Sequence, residues 1–162
     1  MRASWITGLS FGLTSGVITT LGLMVGLNSG THSRPIVIGG ILTIAIADAM
    51  SDALGIHVAE ESKNSSPASQ IWEATVATFL AKFVIALTFA VPVLVAPLDQ
   101  AIFISVIWGL FLLAGLSFFI ARAQGIAPWK VIGEHLVIAL CVVALTHAVG
   151  DWVRLYVADG RP

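Results

Sequence analysis

Charge is what this chain has least of. Only 10% of its 162 residues are Asp, Glu, Lys or Arg, where an ordinary soluble domain carries roughly 25%. So little charge excludes a conventional water-facing surface. No basic run occurs and the formal net charge is −1, which excludes the electrostatic footprint of a nucleic-acid-binding protein. The single cysteine, Cys141, sits in an apolar run, so no internal disulfide can form and nothing ties the chain to an oxidising compartment. The N-terminal MRASWITGLSFGLTSG lacks a short apolar core followed by a small-residue cleavage site; the first apolar run is therefore expected to be a retained span.

Apolar residues fill the space the charges leave. The chain is 57% hydrophobic with a mean hydropathy of +0.96, which makes it an integral membrane protein whose chief partner is the lipid bilayer. A helical span needs ~20 mainly apolar residues, and five candidates fit: Trp5–Leu27, Pro35–Ala59, Ile71–Ala96, Ala101–Ala121 and Pro128–Trp152. Short links rich in Pro, Gly, Ser and charge separate them, leaving one five-helix domain over residues 1–162 and no room for a second. Trp5, Trp72 and Trp129 open the odd-numbered spans while Trp152 and Tyr156 close the last, as aromatic belts at two interfaces require. One side holds Arg2, Lys63, Arg122 and Lys130, the other Arg34, Arg154 and Arg161; the excess of cations favours a cytoplasmic N-terminus. Gly8, Gly12 and Gly16, then Gly22 and Gly26, recur every fourth residue of span one. That spacing lets helix backbones approach closely in lipid, within one chain or between two subunits.

The second span carries the anomaly. Within ILTIAIADAMSDALGIHVA, Asp48 and Asp52 stand at i and i+4, on one helix face. Counting from Pro35 places them ~20 and ~26 Å along the span. A charge near the bilayer centre costs at least ~2.5–3.5 kcal/mol, so intramembrane carboxylates mark ion or proton pathways. Ser15, ~15 Å into span one, and Thr19 on the same face offer hydroxyl oxygens at comparable depth, the oxygen-rich setting hard cations take. Alternatively the aspartates are simply satisfied by hydroxyls or a basic partner.

Lys82 in span three either points inward and neutralises an aspartate or snorkels to the interface. Glu134, two turns into span five, is a third ligand, a proton acceptor or a partner for Lys82. His135 lies beside it, and His147 and Asp151 lie at the far end of the span. His57 reads as a satisfied interfacial histidine. Glu60, Glu61 and Glu73 bracket the second link, as an acidic mouth that concentrates cations or as a solvated surface. Two carboxylates on one helix without a nucleophile and base give no support for an enzyme, and no resident cofactor is expected.

These residues fall in a pattern that resembles the vacuolar iron transporter family over almost the whole chain. GLTSGVITTLGLMVGLNSG follows that family's Gly-x-x-Asp-Gly-Leu-x-Thr-Thr first span, and ADAMSDALGIHVA its Gly-Ala-x-Ser-Met-x-x-Gly second span. TFLAKFVIALTFAVP and GIAPWKVIGEHLVIALCVVALTHAVGD fit the third and last. The resemblance implies an all-α membrane protein with five spans per subunit, acting as a homodimer in a cell membrane or vacuole-type membrane. It also implies export of iron or manganese from the cytosol in exchange for protons.

The departures fall on the implied site. Ser15 stands where the family has an aspartate, Asp52 where it has a methionine, Asp48 where it has a glycine and Lys82 where it has an apolar residue. The family's glutamate-rich cytoplasmic domain has no room in Glu60–Gln70. The expected site is accordingly Asp48 and Asp52 with Ser15, Thr19 and Glu134 as metal ligands, and Lys82, Glu60, Glu61 and Glu73 as charge partners or proton pathway. The competing reading is a non-transporting assembly subunit whose aspartates pair with Lys82.

Overall fold

The computed structural model describes residues 3–63 and 66–158; Arg2 and Arg161, two of the charges behind the expected orientation, lie outside them. Five long helices make up the fold: α1 (Ala3–Thr31), α2 (Arg34–Glu61), α3 (Ala68–Val95), α4 (Leu98–Gln124) and α5 (Pro128–Val153), the last continued by one wider turn over Arg154–Ala158. All five are long and apolar enough to cross a membrane. At 1.5 Å per residue each is ~40 Å long, the thickness of a bilayer with its headgroup layers. Every expected span is present; α1, α2 and α4 overrun theirs at both ends, while α3 starts three residues early and stops at Val95, one short of the expected Ala96.

The ends follow local chemistry. Pro35 and Pro128 occupy first-turn positions of α2 and α5, where a missing N–H costs nothing. Gly125, at φ 69°, ends α4 in the left-handed conformation that closes many helices. Only His32 and Ser33 separate α1 from α2, and His32 takes φ 49° to make so short a reversal. The helices alternate in direction. α1, α3 and α5 start at what we term the first face, and α2 and α4 end there.

α1 is the axis of the bundle, touching all four other helices, whereas α5 packs chiefly on α1 and α4. Glycine explains how one helix serves four neighbours. A Cβ on Gly8 or Gly12 would lie 2.4 or 2.6 Å from the Ala74 or Thr78 carbonyl oxygen, so the first half of α1 lies directly on α3. Gly22, Gly26 and Gly30 do the same in the second half against Val142, Thr146 and Gly150 of α5. The glycine rows are therefore contacts within one chain. An apolar core with Leu21, Met24, Ile41, Phe89 and Leu113 fills the bundle from mid-membrane towards the second face.

Candidate functional site

Below that core, at mid-membrane depth, three helices meet at a common point: α3 brings an ammonium, α2 two carboxylates and α1 a hydroxyl. Lys82 is only 1% exposed and reaches both carboxylates of α2, Asp48 Oδ2 at 2.5 Å and Asp52 Oδ2. Ser15 of α1 completes the cluster: its hydroxyl donates to Asp52 Oδ2 at 2.6 Å and accepts from Lys82 Nζ at 2.9 Å. Gly16 eases the arrangement. A Cβ there would stand 3.2 Å from Lys82 Cγ, so the glycine leaves the space in which the lysine stem lies between α1 and α3.

Two carboxylates face one ammonium. With all three ionised the cluster carries a surplus of one negative charge inside the apolar layer. The carboxylates are less enclosed than the lysine, 29% and 20% exposed for Asp48 and Asp52. Asp48 lines a groove of about 460 Å³ with Leu23, Leu27, Ile36, Gly40 and Thr43, between α1 and α2 on the second-face side. A separate groove of about 360 Å³ runs between α2 and α3 towards the first face. The charged cluster stands between the two.

Lys82 thus points inward and does not snorkel. Two expected ligands are not brought to the cluster. Thr19 turns its hydroxyl back to the Ser15 carbonyl at 2.9 Å, the ordinary way a helix in lipid satisfies a threonine, and lines a third groove between α1 and α5 to which Ile44 of α2 also contributes. Glu134 is exposed on α5, a helix that α1 separates from α2 and α3, so it neither joins the aspartates nor pairs with Lys82. The three link-region glutamates lie at the first face, one or more turns from the cluster. Glu60 is held by Lys63 at 2.5 Å, Glu73 accepts the Ser4 hydroxyl at 2.7 Å, and Glu61 is exposed. None of them is a charge partner of Lys82. Among the described residues no group of three or more His, Cys, Asp or Glu side chains is placed to hold a metal ion.

Further polar contacts join helices, three of them through a histidine or an aspartate. His57 Nδ1 lies 2.9 Å from Thr75 Oγ1 and His135 Nδ1 lies 2.7 Å from Ser117 Oγ. Ser29 donates to Asp151 Oδ1 at 2.6 Å, where His147 and Arg154 also approach. The histidines and Asp151 stand out in sequence. Their partners Thr75, Ser117 and Ser29 do not, because a hydroxyl in an apolar helix carries no signal until its neighbouring helix is known.

The chain matches no family model and no curated protein.

Proposed function

We propose that the protein is a secondary transporter exchanging a divalent cation, iron(II) or manganese(II), for protons, with Asp48 and Asp52 as the exchange site. One observation carries the reading: the buried Lys82 ammonium is matched by two carboxylates where neutralisation alone needs one. A net charge in the apolar layer costs several kcal/mol, so the cluster favours a proton or a cation that cancels its surplus. A divalent cation entering between the carboxylates competes with the ammonium for the same oxygens, which couples cation loading to displacement of the ammonium or its proton. Ser15 supplies a neutral oxygen beside them. The resemblance of the first and second spans to the vacuolar iron transporters supports this choice of substrate and export from the cytosol, with the N-terminus cytoplasmic. It also supports a homodimer, for which α2 offers an exposed row of small residues, Gly39, Thr43, Ala47, Ser51 and Gly55, of the kind that packs helices in lipid.

The assembly reading has its own support, since both carboxylates already pair with Lys82. Proteoliposomes separate the two. Under the transport reading, a pH gradient drives Mn²⁺ or Fe²⁺ uptake that Asp48→Asn and Asp52→Asn each abolish while the purified protein stays folded and monodisperse. Under the assembly reading the unaltered protein moves no cation, and the same substitutions lower the thermal midpoint and dissociate oligomers.

A further inference from the structure

The groove between α2 and α3 has a chemistry that transport does not use. Its walls are apolar, from Met50 and Leu54 on one side to Trp72, Val76 and Phe79 on the other, and His57 is its one titratable lining residue. Depth is ordered along it. Met50 and Phe79 are each eleven residues from the first-face ends of α2 and α3, ~16 Å in, while His57 and Trp72 are four residues from those ends, ~6 Å in. The groove therefore runs from mid-membrane to the interface, apolar at the deep end and polar at the shallow end.

The hydrogen bonding of His57 fixes what the shallow end offers. The Thr75 hydroxyl donates to the Ile71 carbonyl at 2.8 Å, so at 2.9 Å from His57 Nδ1 it accepts, and the ring carries its proton on Nδ1. In the neutral ring Nε2 is then the acceptor. Trp72 meets the ring edge-on, with centroids 4.8 Å apart, and is itself exposed. One turn beyond His57, Glu61 continues the Met50, Leu54, His57 row of α2 and is exposed, while the neighbouring Glu60 is held by Lys63. An apolar track thus ends in an acceptor nitrogen, an aromatic face and a carboxylate.

We propose that this groove binds a bilayer lipid whose headgroup is a primary ammonium. The acyl chain lies along Met50, Leu54 and Phe79. The ammonium sits at the mouth, donating to His57 Nε2 and attracted by the Glu61 carboxylate and the Trp72 ring. The proposal goes beyond the transport reading and does not depend on it.

Native mass spectrometry of the full chain, released from detergent containing dioleoyl phosphatidylethanolamine or dioleoyl phosphatidylcholine, tests it. The two lipids share chains and phosphate, but the choline nitrogen has no N–H to donate. Phosphatidylethanolamine should be retained roughly tenfold better, the equivalent of one charge-assisted hydrogen bond. Glu61→Gln, a surface change that leaves the unfolding midpoint in place, should weaken retention of both lipids, whereas His57→Phe, which removes the Nε2 acceptor, should bring the two close to parity. Leu54→Trp, which fills the track, should remove both adducts. Equal retention of the two lipids by the unaltered protein, or a preference untouched by His57→Phe, would overturn the proposal. So would a dimer that Leu54→Trp dissociates, because a second copy would then occupy the groove.

Discussion

α1 makes the same contact twice, with opposite surroundings. Ser15 donates to Asp52 beside the Lys82 ammonium, and fourteen residues later Ser29 donates to Asp151 beside the Arg154 guanidinium. Each pair is seated on a row of α1 glycines, the first against α3 and the second against α5. At the first site the cation is 1% exposed; at the second Arg154 is 43% and Asp151 37% exposed. Charges within reach of water are screened and contribute little, whereas enclosed ones leave a large deficit when a partner is removed. The same serine–aspartate–cation vocabulary is thus a clasp at the membrane surface and an energetic centre at mid-membrane.

Removing the cations should separate the two sites most. Lys82→Met deprives two carboxylates of their counter-ion in the apolar layer and is expected to cost about 3–5 kcal/mol, read from thermal or denaturant unfolding in detergent. Arg154→Met should leave the midpoint unchanged within error. The comparison sharpens in the Asp48→Asn/Asp52→Asn background, where Lys82→Met should cost far less than it does alone, since coupled groups are not additive. Equal losses in both backgrounds would mean that Lys82 contributes packing and not charge.

The glycine seams provide the next largest contrast. A Cβ on Gly12 meets the Thr78 carbonyl oxygen at 2.6 Å, and one on Gly26 meets the Thr146 carbonyl oxygen at 3.3 Å. Gly12→Ala must push α1 off α3 and should cost about 1–3 kcal/mol, while Gly26→Ala needs a shift of a few tenths of an ångström and should cost a fraction of that. A larger loss at Gly26 would place the rigid half of the bundle on the α5 side.

The five helices were legible from composition alone, because ~20-residue apolar runs have one stable form in lipid. Asp48 and Asp52 were legible as an anomaly for the same reason. The inward direction of Lys82 was not, since its stem is long enough for either course and the partners that draw it in, Ser15, Asp48 and Asp52, stand on other helices. Thr19 and Glu134 show the opposite limit. Depth along a helix can be counted from sequence, but the neighbour a face meets cannot, and Glu134 lies on the far side of α1 from the aspartates.

The smallest contrast is the most direct, because it alters one atom at each site. Ser15→Ala removes the donor to Asp52 Oδ2 and an acceptor of Lys82 Nζ, and no water replaces them readily beside a side chain so enclosed. Hydrogen bonds between helices in lipid average about 0.6 kcal/mol and reach about 1.7; the charged partners place Ser15 in the upper part of that range. Ser29→Ala removes the one hydroxyl donor that Asp151 Oδ1 and the His147 carbonyl share, yet Asp151 keeps Arg154 and His147 beside it and faces water that can take the lost donor's place. Its midpoint shift should be the smaller, and raising the salt concentration should change neither ranking nor the Ser15 value. If Ser29→Ala costs as much as Ser15→Ala, the close Gly30–Gly150 contact around Ser29 dominates, and packing rather than solvent access sets the strength of both clasps.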